Sequence, residues 1–176
     1  MKTEKLVQSE ENEINELLEI LCSNEGLKRE EARKSLVKKS ANSLPLVIEL
    51  LDSEEHICRW EAIKVIAEIN SPDSIPVLLE TLTDESADIR WIASEGLIRM
   101  GTCSVKPLLE EILDKHDSVF VLNGAHHVFS ELSNKQLLPS NFPVKKLLNL
   151  LKVSGNPSSL KILIHKILEG LNRKSR

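Results

Sequence analysis

Tyrosine is missing from this chain, and the aromatic residues number five: Trp60, Trp91, Phe120, Phe129 and Phe142. The core must therefore be aliphatic, mostly leucine and isoleucine. Cysteine occurs three times, at 22, 58 and 103, an odd and scattered set with no CxxC spacing. That pattern argues against disulfides and zinc and for a reducing, cytoplasmic setting. No run of about 18 apolar residues occurs, so no segment is expected to span a membrane. The first twenty residues, MKTEKLVQSEENEINELLEI, are charged throughout and hold no signal-peptide core. A P-loop, a GxSxG elbow and a cysteine–histidine constellation are also missing. His126 and His127 are adjacent, so on a helix they diverge by about 100° and cannot share one ion as i, i+4 histidines do. The chain is read as a non-enzyme with no catalytic residue, no metal and no cofactor.

What the chain does contain is a period. Proline recurs at 45, 76 and 107, and an Arg-Trp pair recurs at 59–60 and 90–91, each step being 31 residues. A fixed spacing of that length marks a repeat array. Each unit reads proline, an apolar run, an acidic break, Arg-Trp and a second apolar run. Helical periodicity is plain in both runs and at the ends. Ile14, Leu17, Leu18 and Leu21 make one stripe, and Leu160, Ile164, Ile167, Leu168 and Leu171 make another.

The spacing predicts an all-α fold of about five helix pairs. Residues 1–43 are read as capping helices and an atypical first repeat, and 44–132 as regular repeats. Residues 133–171 form an atypical repeat and capping helix, and 172–176 a disordered tail. Within this scheme Gly101 stops one helix, Asp117 is placed to cap another, and Ser154-Gly155-Asn156-Pro157 is a break.

Charge is uneven along the array. Residues 1–60 carry 9 basic and 13 acidic side chains, 61–120 carry 5 and 12, and 121–176 carry 9 and 2. The basic end is open to three readings: an anionic partner, weak end-to-end self-association, or solvated surface.

On the second helices the buried stripes read Cys58, Ala62, Val65, Ile66, Ile69, then Ile89, Ala93, Leu97, Met100. The third is Val121, Ala125, Val128, Phe129, Leu132, which requires one extra residue in the turn near Lys115-His116. Outward rows then align as Lys64, Glu95, His127 and as Glu68, Arg99, Glu131. Along each helix this predicts i, i+4 pairs: Lys64 with Glu68, Glu95 with Arg99, His127 with Glu131. Trp60 and Trp91 fall opposite the buried stripe. They are either binding anchors or packing on Ile63, Ile92 and each other.

The pattern Pro-x-Leu-Leu-x-x-Leu, an acidic turn, then Ile-Arg-x-x-Ala-x-x-x-Leu-Ile-x-x-Gly, resembles HEAT repeats of the phycobilisome-lyase-like class. The likeness covers about 30–151 and is closest over 75–113. The segment Gly124-Ala125-His126-His127-Val128 is similar to one in small bacterial HEAT proteins. The resemblance implies an α-α superhelix, a curved solenoid whose second helices line the concave side. It also implies a structural ladder in which Arg59 and Arg90 buttress turn acids. Asp84 serves the second unit and Asp52 or Glu54 the first, and Leu122 ends the ladder. A HEAT enzyme resembling deoxyhypusine hydroxylase would need His-Glu dipeptides where this chain has Trp60-Glu61 and Trp91-Ile92.

The expected function is a scaffold that binds a protein or peptide through the concave face. Trp60 and Trp91 anchor the partner, and Glu61, Ile92, Lys64, Glu95, Arg99, Asn123 and His127 set specificity. The alternatives are a bilin-lyase-like chromophore-handling subunit, with the tryptophans stacked on a tetrapyrrole, and a nucleic-acid-binding HEAT protein. The acidic excess over 61–120 weighs against the second.

Overall fold

The computed structural model of the chain describes residues 2–152 and 156–174, with side chains for 8–152 and 156–173. All regular structure among the described residues is helical: α1 (Lys2–Leu21), α2 (Gly26–Glu49), α3 (His56–Ile69), α4 (Ile75–Glu80), α5 (Ala87–Arg99), α6 (Val105–Asp114), α7 (Val119–Asn134), α8 (Val144–Leu150) and α9 (Pro157–Lys174). Short 3-10 turns extend or join several of them. Two compact units result, Met1–Ser74 and Ile75–Arg176.

In the first unit α1 packs on α2 and α2 on α3. The long α2 is two limbs joined by a kink at Ser40, whose backbone leaves the helical region. Pro45, with no N–H and a ring that clashes with the carbonyl four residues back, forbids a straight helix through this point. The buried Ser43 hydroxyl repairs part of the damage by donating to the Leu36 carbonyl at 2.7 Å. Counting the limbs separately gives five helix pairs, and the fold is an all-α, HEAT-like arrangement of hairpins.

The unscattering of the cysteines is the main departure from expectation in this unit. Cys22, in the turn after α1, is disulfide-bonded to Cys58 in the first turn of α3, 36 residues away with Cα atoms 4.7 Å apart. The expected absence of bridges is therefore wrong. Distance in sequence hid the pairing, because the return of the chain through α2 is what brings the two sulfurs together. Cys103 is free and exposed.

In the second unit α4 packs on α5, α5 on α7, α6 on α7 and α4 on α6, the two-layer plan of stacked hairpins. Ile89, Ala93, Leu97 and Met100 are all buried, as are Val121, Ala125, Val128, Phe129 and Leu132. The third repeat, within this second unit, thus carries the one-residue insertion. Its cap is the Ser118 hydroxyl, which accepts from the Val121 N–H, and not Asp117. At the other end of the unit the layers exchange. The eighth helix lies against α7 and the ninth against α6, so the last hairpin, part of the expected atypical repeat, does not continue the layers of the hairpins before it. The last helix also runs on to Lys174, through residues 172–174 that were expected to be disordered. Of the expected break, Ser154 and Gly155 lie outside the described residues, as do residues 175–176 of the tail.

The 31-residue period is visible in atomic detail. The Arg59 Nη1 donates to the carbonyls of Ser53 and Glu54 at 2.9 and 3.1 Å. Thirty-one residues on, the Arg90 Nη1 donates to the carbonyls of Asp84 and Glu85 at 2.6 and 2.9 Å. Each arginine closes the turn ahead of its own helix through main-chain oxygens. The helices end alike as well: Asn70 and Gly101 both adopt left-handed backbone, φ 54° and 57°. These are the two residue types that tolerate it best.

Candidate functional site

The outward positions of α3 and α5 are related by the 31-residue period, yet the two repeats furnish them oppositely. In the first unit the residue after Trp60 is drawn inward. The Glu61 side chain is only 3% exposed. A carboxylate so placed must be paired, and α2 supplies the partners. Arg33 Nη1 lies 2.8 Å from Glu61 Oε2 and Arg29 Nε lies 3.3 Å from Oε1. Lys64 on α3 itself adds a third cation at 3.2 Å. Arg29 also donates to the Ser23 carbonyl at 2.7 Å, tying the α1–α2 turn into the cluster. Glu61 is thus the hub of an internal ion cluster, and its expected place on the recognition surface is corrected. The expected Lys64–Glu68 pair is replaced too, since Glu68 is ion-paired with Arg33, Oε1 lying 3.1 Å from Nε.

Lys64 has a second contact. Its ammonium stands 3.8 Å above the centre of the Trp60 ring, a cation–π geometry. Trp60 is half-buried, with its own cation on its face. On the outer side of α2, Lys34 sits one turn beyond Glu30. Its hydrogen bond and charge hold the Glu30 carboxyl below the usual carboxylate range.

In the second unit Trp91 is 56% exposed, the most exposed aromatic side chain among the described residues. One face of its indole is stacked on the His127 imidazole, ring centres 4.3 Å apart and planes 28° from parallel. The imidazole is fixed in turn: His127 Nε2 lies 2.8 Å from Glu95 Oε1. A carboxylate only accepts, so Nε2 carries the proton. Glu95 therefore pairs across to α7 and not with Arg99 along its own helix. Glu131 takes Asn134 at 3.0 Å and not His127. Asn123 and Arg99 are exposed and Ile92 is half-buried on the same two helices.

Close approach of the helices makes this possible. A Cβ on Gly124 would come within 2.9 Å of Leu82 Cδ2 and 3.3 Å of Ser94 Oγ. The missing side chain at Gly124 lets α7 lie close to Leu82 in the turn after α4 and to Ser94 on α5, and across this seam the imidazole reaches both the indole and the carboxylate.

One participant escaped the reading from sequence. Phe120 is 46% exposed at the start of α7, and the Arg90 guanidinium covers its ring at 4.0 Å. Phe120, Asn123 and His127 sit at i, i+3 and i+7, the stripe spacing that would have pointed to it. His126 is half-buried beside His127 and diverges from it, as adjacent helical residues must. Among the described residues no cluster of three His, Cys, Asp or Glu side chains is placed to hold a metal ion, and no helix is long and apolar enough to cross a membrane.

No curated protein matches the chain. Residues 43–125, just under half of the sequence and including both Arg-Trp pairs, match the family model for HEAT repeats, and this stretch of the chain is similar to those repeats.

Proposed function

We propose that the protein is a non-enzymatic scaffold that binds another protein or a peptide through the outward face of α5 and α7. HEAT repeats commonly serve as protein-interaction scaffolds, and the matched stretch contains α5 whole and the first half of α7. The observation that carries the reading is Trp91 itself. A large indole more than half exposed costs a soluble surface apolar hydration that packing normally removes. Here it is held on a rigid backing of His127 and Glu95. Tryptophan is over-represented among binding hot spots, and a pre-organised side chain loses less entropy on binding. Asn123, Ile92 and Arg99 would set specificity around it. Trp60 and Lys64 form a satisfied pair in the other unit and are secondary in this reading. A cytoplasmic setting rested on unbridged thiols, and the Cys22–Cys58 bond withdraws that argument.

The test compares wild type with Trp91→Ala in pull-downs from native lysate, after circular dichroism shows equal helix content. The expected outcome is a protein captured by wild type alone, with affinity for it lowered by about 2 kcal/mol, roughly 30-fold, in the variant. Equal capture and equal affinity would refute the role of Trp91.

A further inference from the structure

We infer that the Trp91–Glu95 face receives a cationic side chain of the partner, an arginine by preference. This rests on the interaction reading above and gives it a chemistry. The first repeat provides an internal template. There the tryptophan ring carries an ammonium 3.8 Å above its centre, donated by Lys64 one turn further along the helix. In the second repeat the residue at the Lys64 position is Glu95, 31 residues on. The indole is still present, but the cation that covered it has become an anion. Trp91 accordingly stays 56% exposed, with His127 on one face and the other face toward solvent.

An exposed indole face beside a carboxylate is a site for a positive charge. The ring quadrupole attracts a cation on its face, and the carboxylate attracts the same cation at its edge. His127 engages only Oε1 of Glu95, whose side chain is 38% exposed, so Oε2 is left to accept from outside. The arginine nearest in sequence is committed elsewhere: Arg90 covers Phe120 and binds the carbonyls of Asp84 and Glu85. Arginine suits the site better than lysine because a planar guanidinium stacks on the indole while one edge donates to the carboxylate.

The experiment uses the full chain, fluorescently labelled, on an array of peptides of varied flanking sequence. Each peptide is synthesised with arginine, lysine, citrulline, leucine or glutamate at its centre. Wild type is compared with Trp91→Ala, Glu95→Gln and, as a control on α6, Glu110→Gln. The expected result is binding to arginine-centred peptides about tenfold stronger than to their citrulline counterparts. That preference disappears in Trp91→Ala and Glu95→Gln and survives in Glu110→Gln. Citrulline or glutamate peptides bound as well as arginine peptides, in a Trp91-dependent way, overturn the cationic partner and leave the scaffold reading standing. Binding that does not depend on Trp91 at any central residue overturns both. Thermal melts of the three variants confirm that each is folded.

Discussion

Reducing the Cys22–Cys58 bond should weaken the first unit by an amount that chain statistics fix in advance. The bond closes a loop of 36 residues in sequence separation. For a loop of that length the lost denatured-state entropy is about 13 cal/mol/K, or about 4 kcal/mol at 25 °C. The loop contains all of α2 and the turn that Arg29 and Glu61 hold by hydrogen bonds. The reduced protein should therefore remain folded under native conditions and differ mainly in its unfolded ensemble. In urea, with a slope of about 2 kcal/mol/M for a chain of this size, the midpoint of the first unit should fall by roughly 2 M on adding a phosphine reductant. Cys22→Ser and Cys58→Ser should each reproduce that shift, and the double variant should add nothing, because either change opens the same loop. Alkylation followed by intact mass gives the independent check. Without reductant, unfolded wild type should take one alkyl group, on Cys103, and three after reduction. Three labelled thiols in the untreated protein, or equal urea midpoints with and without reductant, would refute the reasoning.

Other consequences are as direct. Glu61→Gln removes the charge that balances Arg29, Arg33 and Lys64 at a site 3% exposed; breaking a buried ion cluster from one side costs about 3–5 kcal/mol. A melting temperature within a degree of wild type would contradict that role. Gly124→Ala gains helix propensity, but its methyl group meets Leu82 Cδ2 at 2.9 Å, and Leu82 is fully buried, so it must shift within a packed core. The expected net is a loss of about 1 kcal/mol, and a gain in stability would show that α7 is less tightly packed on Leu82. Carbon-detected NMR should find the Glu30 carboxyl titrating below the ordinary glutamate range, with Lys34→Met returning it. Because the folded value is the lower one, the stabilisation is present above the unfolded value and lost as pH falls through the folded one. A Glu30 titration unaffected by Lys34→Met would argue that the pair is not populated.

Sequence alone carried the repeat frame a long way, for physical reasons. The period fixes which residues occupy equivalent positions, and equivalent positions see equivalent backbones. The carbonyl clamps of Arg59 and Arg90 and the left-handed ends at Asn70 and Gly101 recur on that account. The extra residue of the third repeat could be counted because only one register keeps charged groups out of the core. That count placed His127 in the row of Glu95, and the two meet. What escaped depended on a second helix. Glu61 reads as surface beside Trp60 until α2 brings Arg29 and Arg33 over it. The stacking of Trp91 on His127, in place of i, i+4 pairs along each helix, is settled by rotamers and by the approach that Gly124 allows. Neither leaves a mark in periodicity.

The exchange of layers at the end of the second unit, α8 beside α7 and α9 beside α6, bears on how such an array could grow. A further 31-residue hairpin appended after it would meet first-layer ridges with a second-layer helix, and second-layer ridges with a first-layer one. Its apolar stripes would face the wrong neighbours. A hairpin inserted upstream of the exchanged pair, between α5 and α6, would by contrast find each layer still matched to its own kind.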